Sequence, residues 1–324
     1  MVNKPSNFAI LEAVQHEMRA NPHMTMLYEY QRPVAMGPMG NVIDLYTEFG
    51  APRIPDWGPI DEEWFIGGAA GIAMTGVPAI AHMPSMCSVR SFELIFNQVG
   101  KLRHMTGGQV NMPLVIWQDG AGRNPGLAGQ HADAGQEALY AAIPGVKVVV
   151  PSNPYDAKGL MTSALRDGDP VVFFHYPAID GNAMDVPDDD YVVNIGEANV
   201  VQEGTDLTIV GVGPAFVEIT RAMEEIAAAG ISAEVIDPRT IKPLPIDAIA
   251  ASVEKTGKLL VIDHGHETLG TSSEIIARVA MLVPGARLGR STFPDAPPPG
   301  AREMISWMTP DAPKIVEAAK QLTA

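Results

Sequence analysis

The amino-acid sequence predicts an α/β protein made of two doubly wound domains. Apolar, strand-like segments alternate with helix-periodic segments along most of the 324 residues, which is typical of parallel sheets covered by helices on both faces. This length exceeds what one hydrophobic core usually serves. The acidic, proline-flanked stretch at 180–191 interrupts the alternation, so we place the first domain at residues 1–185 and the second at 186–324.

The first predicted domain begins with a helix over residues 7–20, where Phe8, Leu11, Val14 and Met18 recur on one face. Residues rich in Gly and Pro predict long loops at 31–60 and 121–131. The remaining periodic segments predict helices at 62–76, 90–105, 133–142 and 156–167, and buried strands at 24–30, 78–84, 112–120, 146–151 and 170–177.

The second predicted domain repeats the alternation. The Gly-rich turn GVGPAF (211–216) lacks the third glycine of a dinucleotide-binding fingerprint, so it is interpreted as a tight strand-to-helix turn. Strands are predicted at 206–213, 233–238, 258–265 and 286–291, and helices at 215–229, 246–255 and 270–282.

Composition excludes several classes of protein. The chain is 46% hydrophobic and 19% charged, and its formal net charge is -16, which argues against a nucleic-acid or anionic-membrane partner. No segment reaches the ~18 apolar residues of a membrane span, and the N-terminus lacks an apolar signal core. Cys87 is the only cysteine, so a disulfide framework and a cysteine-based metal site are excluded, and we expect a reducing, cytoplasmic location.

Two adjacent carboxylates, Glu62 and Glu63, stand just before a segment rich in small residues that includes Gly67, Gly68 and Gly71. Glycine costs a helix interior close to ~1 kcal/mol relative to alanine, so three of them predict a helix that approaches another backbone closely. An acid at the start of such a helix would be held rigidly. The alternative interpretation is an ordinary acidic first turn that complements the helix dipole.

Histidines provide the other candidates for chemistry. His131 ends a Gly-rich loop and precedes a helix, so its side chain could reach into a cleft. His264 and His266 follow a predicted strand, but no third metal ligand lies at a supporting spacing, which favours a strand-end turn. No G-x-S-x-G elbow is present, so a serine hydrolase is not expected.

Several strings then resemble one family over nearly the whole chain. They are KVVVPSNPYDAKGLMTSALRDGDPVVFF (147–174), AEVIDPRTIKPLP (233–245), GQHADAGQEA (129–138) and NQVGKLRHMTGGQVNMPLVI (97–116). They resemble the beta subunits of thiamine-diphosphate-dependent 2-oxo acid dehydrogenases, a family that includes the decarboxylating components of pyruvate, branched-chain and acetoin dehydrogenases. The resemblance implies a transketolase-type pyrimidine-binding domain followed by a transketolase C-terminal domain.

The resemblance also implies roles for individual residues. Glu62 in D-E-E-W-F-I-G matches the family's catalytic acid, which hydrogen-bonds the aminopyrimidine of thiamine diphosphate, and His131 matches a proton donor to substrate. Glu29 matches an acid near the cofactor. Met83 falls on a pyrimidine-lining position, and Cys87 stands where the family has an aromatic ring.

A potassium site of the family would use backbone carbonyls before Leu114 and from Ala164 to Asp167, together with the side chain at Asp169. The family's diphosphate and Mg²⁺ are held by an alpha subunit through a G-D-G motif with a downstream Asn, and this chain lacks that motif. The resemblance therefore implies an alpha partner that completes each site in an alpha2beta2 heterotetramer.

The function implied is decarboxylation of a 2-oxo acid, or cleavage of an acyloin-like donor, with transfer of the acyl unit to a lipoyl acyltransferase or another acceptor. Two alternatives remain: a split transketolase or carboligase without a lipoyl partner, and a non-catalytic structural paralogue. The altered segment HMPSMCSVR (82–90) favours the paralogue, whereas Glu62 and His131 count against it.

Overall fold

The computed structural model describes residues 2–28, 32–55, 60–84, 87–120 and 135–324. These residues fall into two compact units. Gly120 and the residues before it form the first unit together with Leu139–Ile195. The described residues 135–138 and Gly196–Ala324 belong to the second unit.

Up to Ile195, the described residues form short outer strands, a central parallel sheet and helices on its two faces. The strands are β1 (Val2–Lys4), β2 (Thr25–Tyr28), β3 (Val34–Met36), β4 (Val42–Asp44), β5 (Ala79–Pro84), β6 (Leu114–Asp119), β7 (Lys147–Val149), β8 (Val171–His175) and β9 (Met184–Val186). The helices are α1 (Ser6–Ala20), α2 (Leu45–Phe49), α3 (Glu62–Met74), α4 (Leu102–Met105), α5 (Glu137–Ala141) and α6 (Pro154–Leu165).

The central sheet of the first unit has its strands in the order β7-β8-β6-β5-β2, and all of these neighbours are parallel. Helices α1 and α6 pack together over one face of the sheet, with Phe8, Leu11 and Val14 of α1 in the core. The predicted doubly wound α/β architecture is therefore confirmed for this unit.

A buried cluster of charges joins α1 to α6 and to the first strand. Lys158 is fully buried, and its Nζ lies 2.6 Å from Glu12 Oε2. Lys4 Nζ lies 2.7 Å from the same oxygen and 2.7 Å from Asp188 Oδ1. Burial lowers the pKa of Lys158, whereas its hydrogen bond to Glu12 opposes that shift. Glu12 thus neutralises two ammonium groups that burial disfavours.

The second unit holds a mixed sheet in the order β10-β12-β11-β14-β15, in which only β10 runs antiparallel to its neighbour. Its core lies between this sheet and helices α7 and α11. The strands are β10 (Asn199–Gln202), β11 (Leu207–Gly211), β12 (Ala233–Asp237), β13 (Thr240–Lys242), β14 (Lys258–His266) and β15 (Arg287–Phe293), and the helices are α7 (Ala215–Ala228), α8 (Ile246–Thr256), α9 (Thr271–Leu282), α10 (Arg302–Met308) and α11 (Ala312–Thr323).

Two predicted segments differ from the structure. The predicted loop at 31–60 contains the antiparallel hairpin β3–β4 and helix α2, because short apolar alternations lie between its glycines and prolines. The predicted helix at 90–105 is divided into a 3₁₀ segment (Cys87–Ser91), a π-helical turn (Leu94–Val99) and α4. The division falls near Gly100, where a Cβ would lie 2.8 Å from Ile143 Cγ2.

The predicted domain boundary between residues 185 and 186 falls inside β9, which pairs with β1 of the first unit. The structural division falls ten residues later, between Ile195 and Gly196. Where independently folding pieces begin remains a prediction.

Replacing Glu12 tests the buried charge cluster. Glu12→Gln removes the carboxylate that neutralises Lys4 and Lys158, and breaking a buried pair in this way should lower the free energy of unfolding by about 3 kcal/mol or more. Urea unfolding of the whole chain measures this effect. Glu63→Gln is the control, because Glu63 is exposed and should change stability by less than about 0.5 kcal/mol.

Candidate functional site

The carboxyl ends of β5, β6 and β8 lie side by side, and this edge is where ligand sites of α/β sheets collect. Met83 of β5 is in register with Gln118 of β6. Asp119, the last residue of β6, is in register with His175 at the end of β8. Side chains from three strands are therefore brought together at one edge.

Glu62 lies at the first position of helix α3 and is only 7% exposed. The helix begins there because Asp61 caps it: the Asp61 carboxylate accepts hydrogen bonds from the backbone N–H of Glu63 at 3.1 Å and of Trp64 at 3.4 Å. Glu62 is thus free of the capping role, and its carboxyl group is held at the start of a rigid element. The Arg90 Nε lies 3.7 Å from Glu62 Oε2.

Helix α3 covers the same face of the sheet that carries Met83 and Gln118. A Cβ on Gly68 would lie 3.0 Å from Leu27 Cδ2, and Leu27 is in register with Ala81. Side chains alternate between faces along a strand, so Leu27, Ala81 and Met83 share a face, and Gln118 shares it through its register with Met83. Glu62, Met83 and Gln118 therefore belong to one side of the sheet.

Two buried polar side chains on this side have no hydrogen-bond partner among the described residues. Gln118 is 0% exposed, and neither its Oε1 nor its Nε2 is hydrogen-bonded. Ser91, which ends the 3₁₀ segment packed against α3, is also buried with an unpaired Oγ. Each such group costs about 1–3 kcal/mol, and buried orphans of this kind call for a functional explanation. Both are suited to hydrogen-bond a polar ligand.

A hydrogen-bonded chain of four ionisable side chains occupies the opposite face. His175 lies between two carboxylates, with Nδ1 2.8 Å from Asp119 Oδ1 and Nε2 3.0 Å from Asp180 Oδ1. His82 Nε2 lies 3.1 Å from Asp119 Oδ2, and Trp117 Nε1–H donates to Asp119 Oδ1 at 3.1 Å. The His82 ring also packs on Trp117, with centroids 4.0 Å apart.

The hydrogen bonds and charges of this network of side chains fix the protonation states of Asp119 and His175. Burial alone would lower the pKa of His175, but hydrogen bonds to Asp119 and Asp180 outweigh it and raise that pKa to about 10. Burial alone would raise the pKa of Asp119, but hydrogen bonds from His175 and His82 hold it well below its usual range. A cationic His175 between two carboxylates is therefore the stable form at neutral pH.

Neither the unpaired Gln118 and Ser91 nor the network around Asp119 and His175 was predicted from the sequence. The signal was present, because polar residues end otherwise apolar strands in LVIWQD (114–119) and VVFFH (171–175). Their partners come from other strands, however, and only the strand order and register bring them together.

Two further predicted site residues, Met83 and Cys87, lie in the part of the chain that the structure describes. Met83 is fully buried in β5, on the face that α3 covers. Cys87 begins the 3₁₀ segment that packs against α3. Glu29 and His131 lie outside the described residues, and their roles stay predictions.

The residues of the predicted potassium site lie at the opposite, amino-terminal edge of the strands. Leu114 begins β6 and is buried, and the Ala164 carbonyl accepts from the Asp167 N–H at 3.2 Å. Both oxygens of Asp167 accept from Lys147 Nζ, at 2.8 and 2.6 Å. Asp169 is paired with Arg103 and lies 3.4 Å from Lys147 Nζ. Protein cations thus neutralise the two carboxylates.

The glycine positions of α3 do not meet another described backbone. A Cβ on Gly71 would meet nothing within 4 Å, and one on Gly67 would be 3.5 Å from the Leu94 side chain. The close neighbour that the sequence predicts for this helix is therefore not supplied by the described part of this chain.

In the second unit, the predicted strand-end histidines lie in β14. The His264 ring stacks on Phe293 with centroids 5.6 Å apart, and His266 Nδ1 lies 3.0 Å from the Pro294 carbonyl oxygen. Among the described residues no group of three or more His, Cys, Asp or Glu side chains could hold a metal ion. Within the same residues, no helix is both long and apolar enough to cross a bilayer.

Comparison with known families gives two matches that together span most of the chain. Residues 6–176 match the family described as "Transketolase, pyrimidine binding domain". Residues 196–315 match "Transketolase, C-terminal domain".

Similar proteins support the same assignment. The chain is 36% identical over 327 residues to the acetoin:2,6-dichlorophenolindophenol oxidoreductase subunit beta of Cupriavidus necator, covering 97% of this chain and 95% of the relative. It is 34% identical over 321 residues to the pyruvate dehydrogenase E1 component subunit beta of Bacillus subtilis, covering 97% of both chains. A solved structure titled "Split gene transketolase, inactive beta4 tetramer" is similar in fold, with a TM-score of 0.80 at 20% identity over 99% of this chain and 98% of that one.

The pH dependence of stability tests the Asp119–His175 pair. The folded-state pKa of His175 lies above its usual value of 6.5, so its stabilisation is complete below about pH 6.5 and is lost as pH rises towards 10. The contribution is on the order of 5 kcal/mol. Urea unfolding at intervals from pH 6 to 10 should show this decline in the wild-type chain. His175→Gln should lack that part of the slope, and equal slopes in the two proteins would contradict the assigned charge.

Proposed function

The chain belongs to the family of transketolase-like beta subunits that includes the pyruvate dehydrogenase E1 component and acetoin oxidoreductase beta subunits, and on that premise we propose that it is the beta subunit of a heterotetrameric thiamine-diphosphate enzyme. It would decarboxylate a 2-oxo acid or cleave an acyloin-like donor. The acyl unit would pass to a lipoyl acyltransferase or to another acceptor.

The observation that carries this proposal is the placement of Glu62. Its carboxyl group is buried at the start of α3, on the side of the sheet that carries Met83 and Gln118. The chain matches relatives named as oxidoreductase and dehydrogenase beta subunits over almost its full length, and Glu62 would supply the carboxyl group that the proposed chemistry requires. The non-catalytic alternative is therefore disfavoured. The likeness to a transketolase structure concerns the fold alone, so a carboligase is not proposed.

The described residues fit the pyrimidine half of thiamine diphosphate. Glu62 would hold a proton at a ring nitrogen of the aminopyrimidine, and Met83 would line the ring with apolar surface. Gln118 and Ser91 would pair their unsatisfied polar atoms with the cofactor or substrate. When bound, the cofactor supplies the carbon nucleophile that attacks the substrate carbonyl.

The remaining assignments belong to the same proposal. His131 would donate a proton to the substrate, Glu29 would lie in an acidic path near the cofactor, and Cys87 would occupy the position of an aromatic ring. The alpha partner would hold the diphosphate and Mg²⁺, because this chain lacks the G-D-G motif. The exposed small-residue side of α3 is suited to the close approach of another subunit. A cytoplasmic location fits a single cysteine.

A potassium ion would belong to the same proposal, held by backbone carbonyls before Leu114 and from Ala164 to Asp167 and by the Asp169 side chain. Asp169 would exchange its contacts with Arg103 and Lys147 for the ion.

Glu62→Gln tests the central assignment. Glutamine keeps the size and much of the hydrogen bonding of Glu62 but cannot exchange a proton with the pyrimidine, so the cofactor should still bind. Hydrogen–deuterium exchange of the bound thiazolium proton, measured in the assembled complex, should slow by about 10²-fold or more.

Glu63→Gln is the matched control, because Glu63 is the adjacent, exposed carboxylate and points away from the sheet. Slow exchange in the Glu63 variant alone would move the acid by one residue. Normal exchange in both variants would refute the activating role of this subunit.

Gln118→Met tests whether the unpaired amide serves a ligand. Methionine has nearly the same shape and removes two unsatisfied polar atoms, so the free energy of unfolding of the free chain should rise by about 1–3 kcal/mol. Cofactor or substrate affinity of the assembled complex should fall at the same time. Thermal unfolding and isothermal titration with thiamine diphosphate measure the two effects, and a stabilised variant with unchanged binding and KM would assign Gln118 to structure only.

A further inference from the structure

We propose that Tyr140 is a positioning residue of the candidate site and that its hydroxyl group holds Ser91 where a ligand can reach it. This inference rests on the proposed function, since it names a residue that prepares the same site for the cofactor or the substrate. Tyr140 belongs to α5 and is 0% exposed. Its hydroxyl group shares a hydrogen bond with the hydroxyl group of Ser88, which is also 0% exposed.

The hydrogen bond between Ser88 and Tyr140 supports a segment that its own backbone holds poorly. Ser88 lies in the 3₁₀ segment Cys87–Ser91, which has five residues. Runs of 3₁₀ helix longer than about four residues are uncommon, because their hydrogen-bond geometry is poor. Ser91 ends the segment, and the ring of the next residue, Phe92, packs against the Tyr140 ring with centroids 6.0 Å apart. Tyr140 therefore contacts the chain on both sides of Ser91.

Tyr140 also contacts the strand next to Gln118. Its ring packs edge-on against the ring of Phe174, with centroids 5.7 Å apart. Phe174 of β8 is in register with Gln118 of β6, and residues in register on neighbouring strands share a face about 4.8 Å apart. Tyr140 thus connects the positions of Gln118 and Ser91, whose buried polar atoms have no hydrogen-bond partner among the described residues.

Tyr140 is itself held by contacts outside the site. The turn that follows α5 packs against Gly100, where a Cβ would lie 2.8 Å from Ile143 Cγ2 and 3.0 Å from the Pro144 carbonyl oxygen. Gly100 directly follows the π-helical turn Leu94–Val99. Helix α5 and its following turn therefore contact the stretch 87–100 near both of its ends, and Tyr140 joins that stretch to the sheet.

The hydroxyl group of Tyr140 is the part of this residue that packing does not explain. Phe92 and Phe174 offer aromatic surface, against which a phenylalanine ring would pack equally well. A buried hydrogen bond contributes little net stability, and replacing both partners by apolar groups is nearly neutral. It does impose a direction, because a hydrogen bond weakens steeply away from its preferred angle. The bond between Ser88 and Tyr140 therefore orients the 3₁₀ segment more than it stabilises the fold.

The experiment uses the complex assembled with the alpha partner. Tyr140→Phe keeps the ring and removes the bond to Ser88, so Ser91 should no longer be held in place for the ligand. The Kd of thiamine diphosphate, measured by isothermal titration, should rise about 10-fold, the scale of one lost hydrogen bond. If Ser91 contacts the substrate instead, the same rise should appear in the KM for pyruvate or acetoin, whichever the wild type turns over faster. In a Ser91→Ala background the added effect of Tyr140→Phe should shrink to about 2-fold or less, because the group that it positions is gone.

A double variant separates positioning from stability. Tyr140→Phe alone leaves the Ser88 hydroxyl group buried without this partner and should lower the midpoint of urea unfolding of the free chain. Adding Ser88→Ala removes both hydroxyl groups, so the midpoint should return close to that of the wild type. The Kd or KM should nevertheless stay raised about 10-fold, because the segment is still not held. Recovery of binding together with stability would show a purely structural role and would overturn the proposal.

Thr208→Val is the control, because it removes a buried hydroxyl group from the second unit, where Thr208 Oγ1 lies 2.7 Å from both Ser252 Oγ and Thr256 Oγ1. It should lower stability and leave the Kd and the KM unchanged. Equal Kd or KM changes in the Thr208 and Tyr140 variants would overturn the proposal, as would an undiminished effect of Tyr140→Phe in the Ser91→Ala background. Cofactor binding and turnover by the wild type, with neither changed in Tyr140→Phe, would defeat this inference alone. Absence of thiamine-diphosphate binding by the wild-type complex would defeat the proposed function and this inference together.

Discussion

The Asp119 carboxylate accepts hydrogen bonds from groups on three strands, and the geometry of the whole edge depends on it. His82 belongs to β5, Trp117 to β6 and His175 to β8. The Asp180 carboxylate extends this hydrogen-bonded network to α1 by accepting a hydrogen bond from the Asn7 N–H at 2.9 Å. Because these bonds lie on one face, the register that they stabilise also fixes Met83 and Gln118 on the other face. A polar network on one side thus positions the candidate site on the other.

The two faces differ in how many of their buried polar groups are hydrogen-bonded. On one face, hydrogen bonds join Asp119, His175 and Asp180, and the Nδ1 of His82 is left without a hydrogen-bond partner among the described residues. On the other, Gln118 and Ser91 are buried without hydrogen-bond partners among the described residues. Binding sites commonly combine a satisfied supporting structure with unsatisfied groups reserved for a ligand.

The helices and strands could be predicted because the apolar periodicity that identifies them lies in residues close together in the sequence. The apolar face of α1 and the strand MPLVIWQD are examples, and Glu62 was found because it immediately precedes a helix with unusual glycines. The hydrogen-bonded network around Asp119 could not be predicted. Its members His82, Asp119 and His175 come from strands whose order in the sheet differs from their order in the sequence. The close packing of Gly100 against Ile143 could not be predicted either, because the two residues are distant in sequence. Non-local contacts, rather than propensity, decided these features.

The buried ammonium of Lys4 has a consequence for synthesis of the chain on the ribosome. It donates to the Pro187 carbonyl and pairs with Asp188 only after these residues have been synthesised, and Lys4 and Pro187 are separated by 183 positions. At about 5–20 residues per second, the nascent N-terminal strand waits roughly ten seconds or more for its partner β9. During that interval α1 exposes the apolar face that later packs on α6. The apolar face of α1 therefore stays uncovered for several seconds during translation.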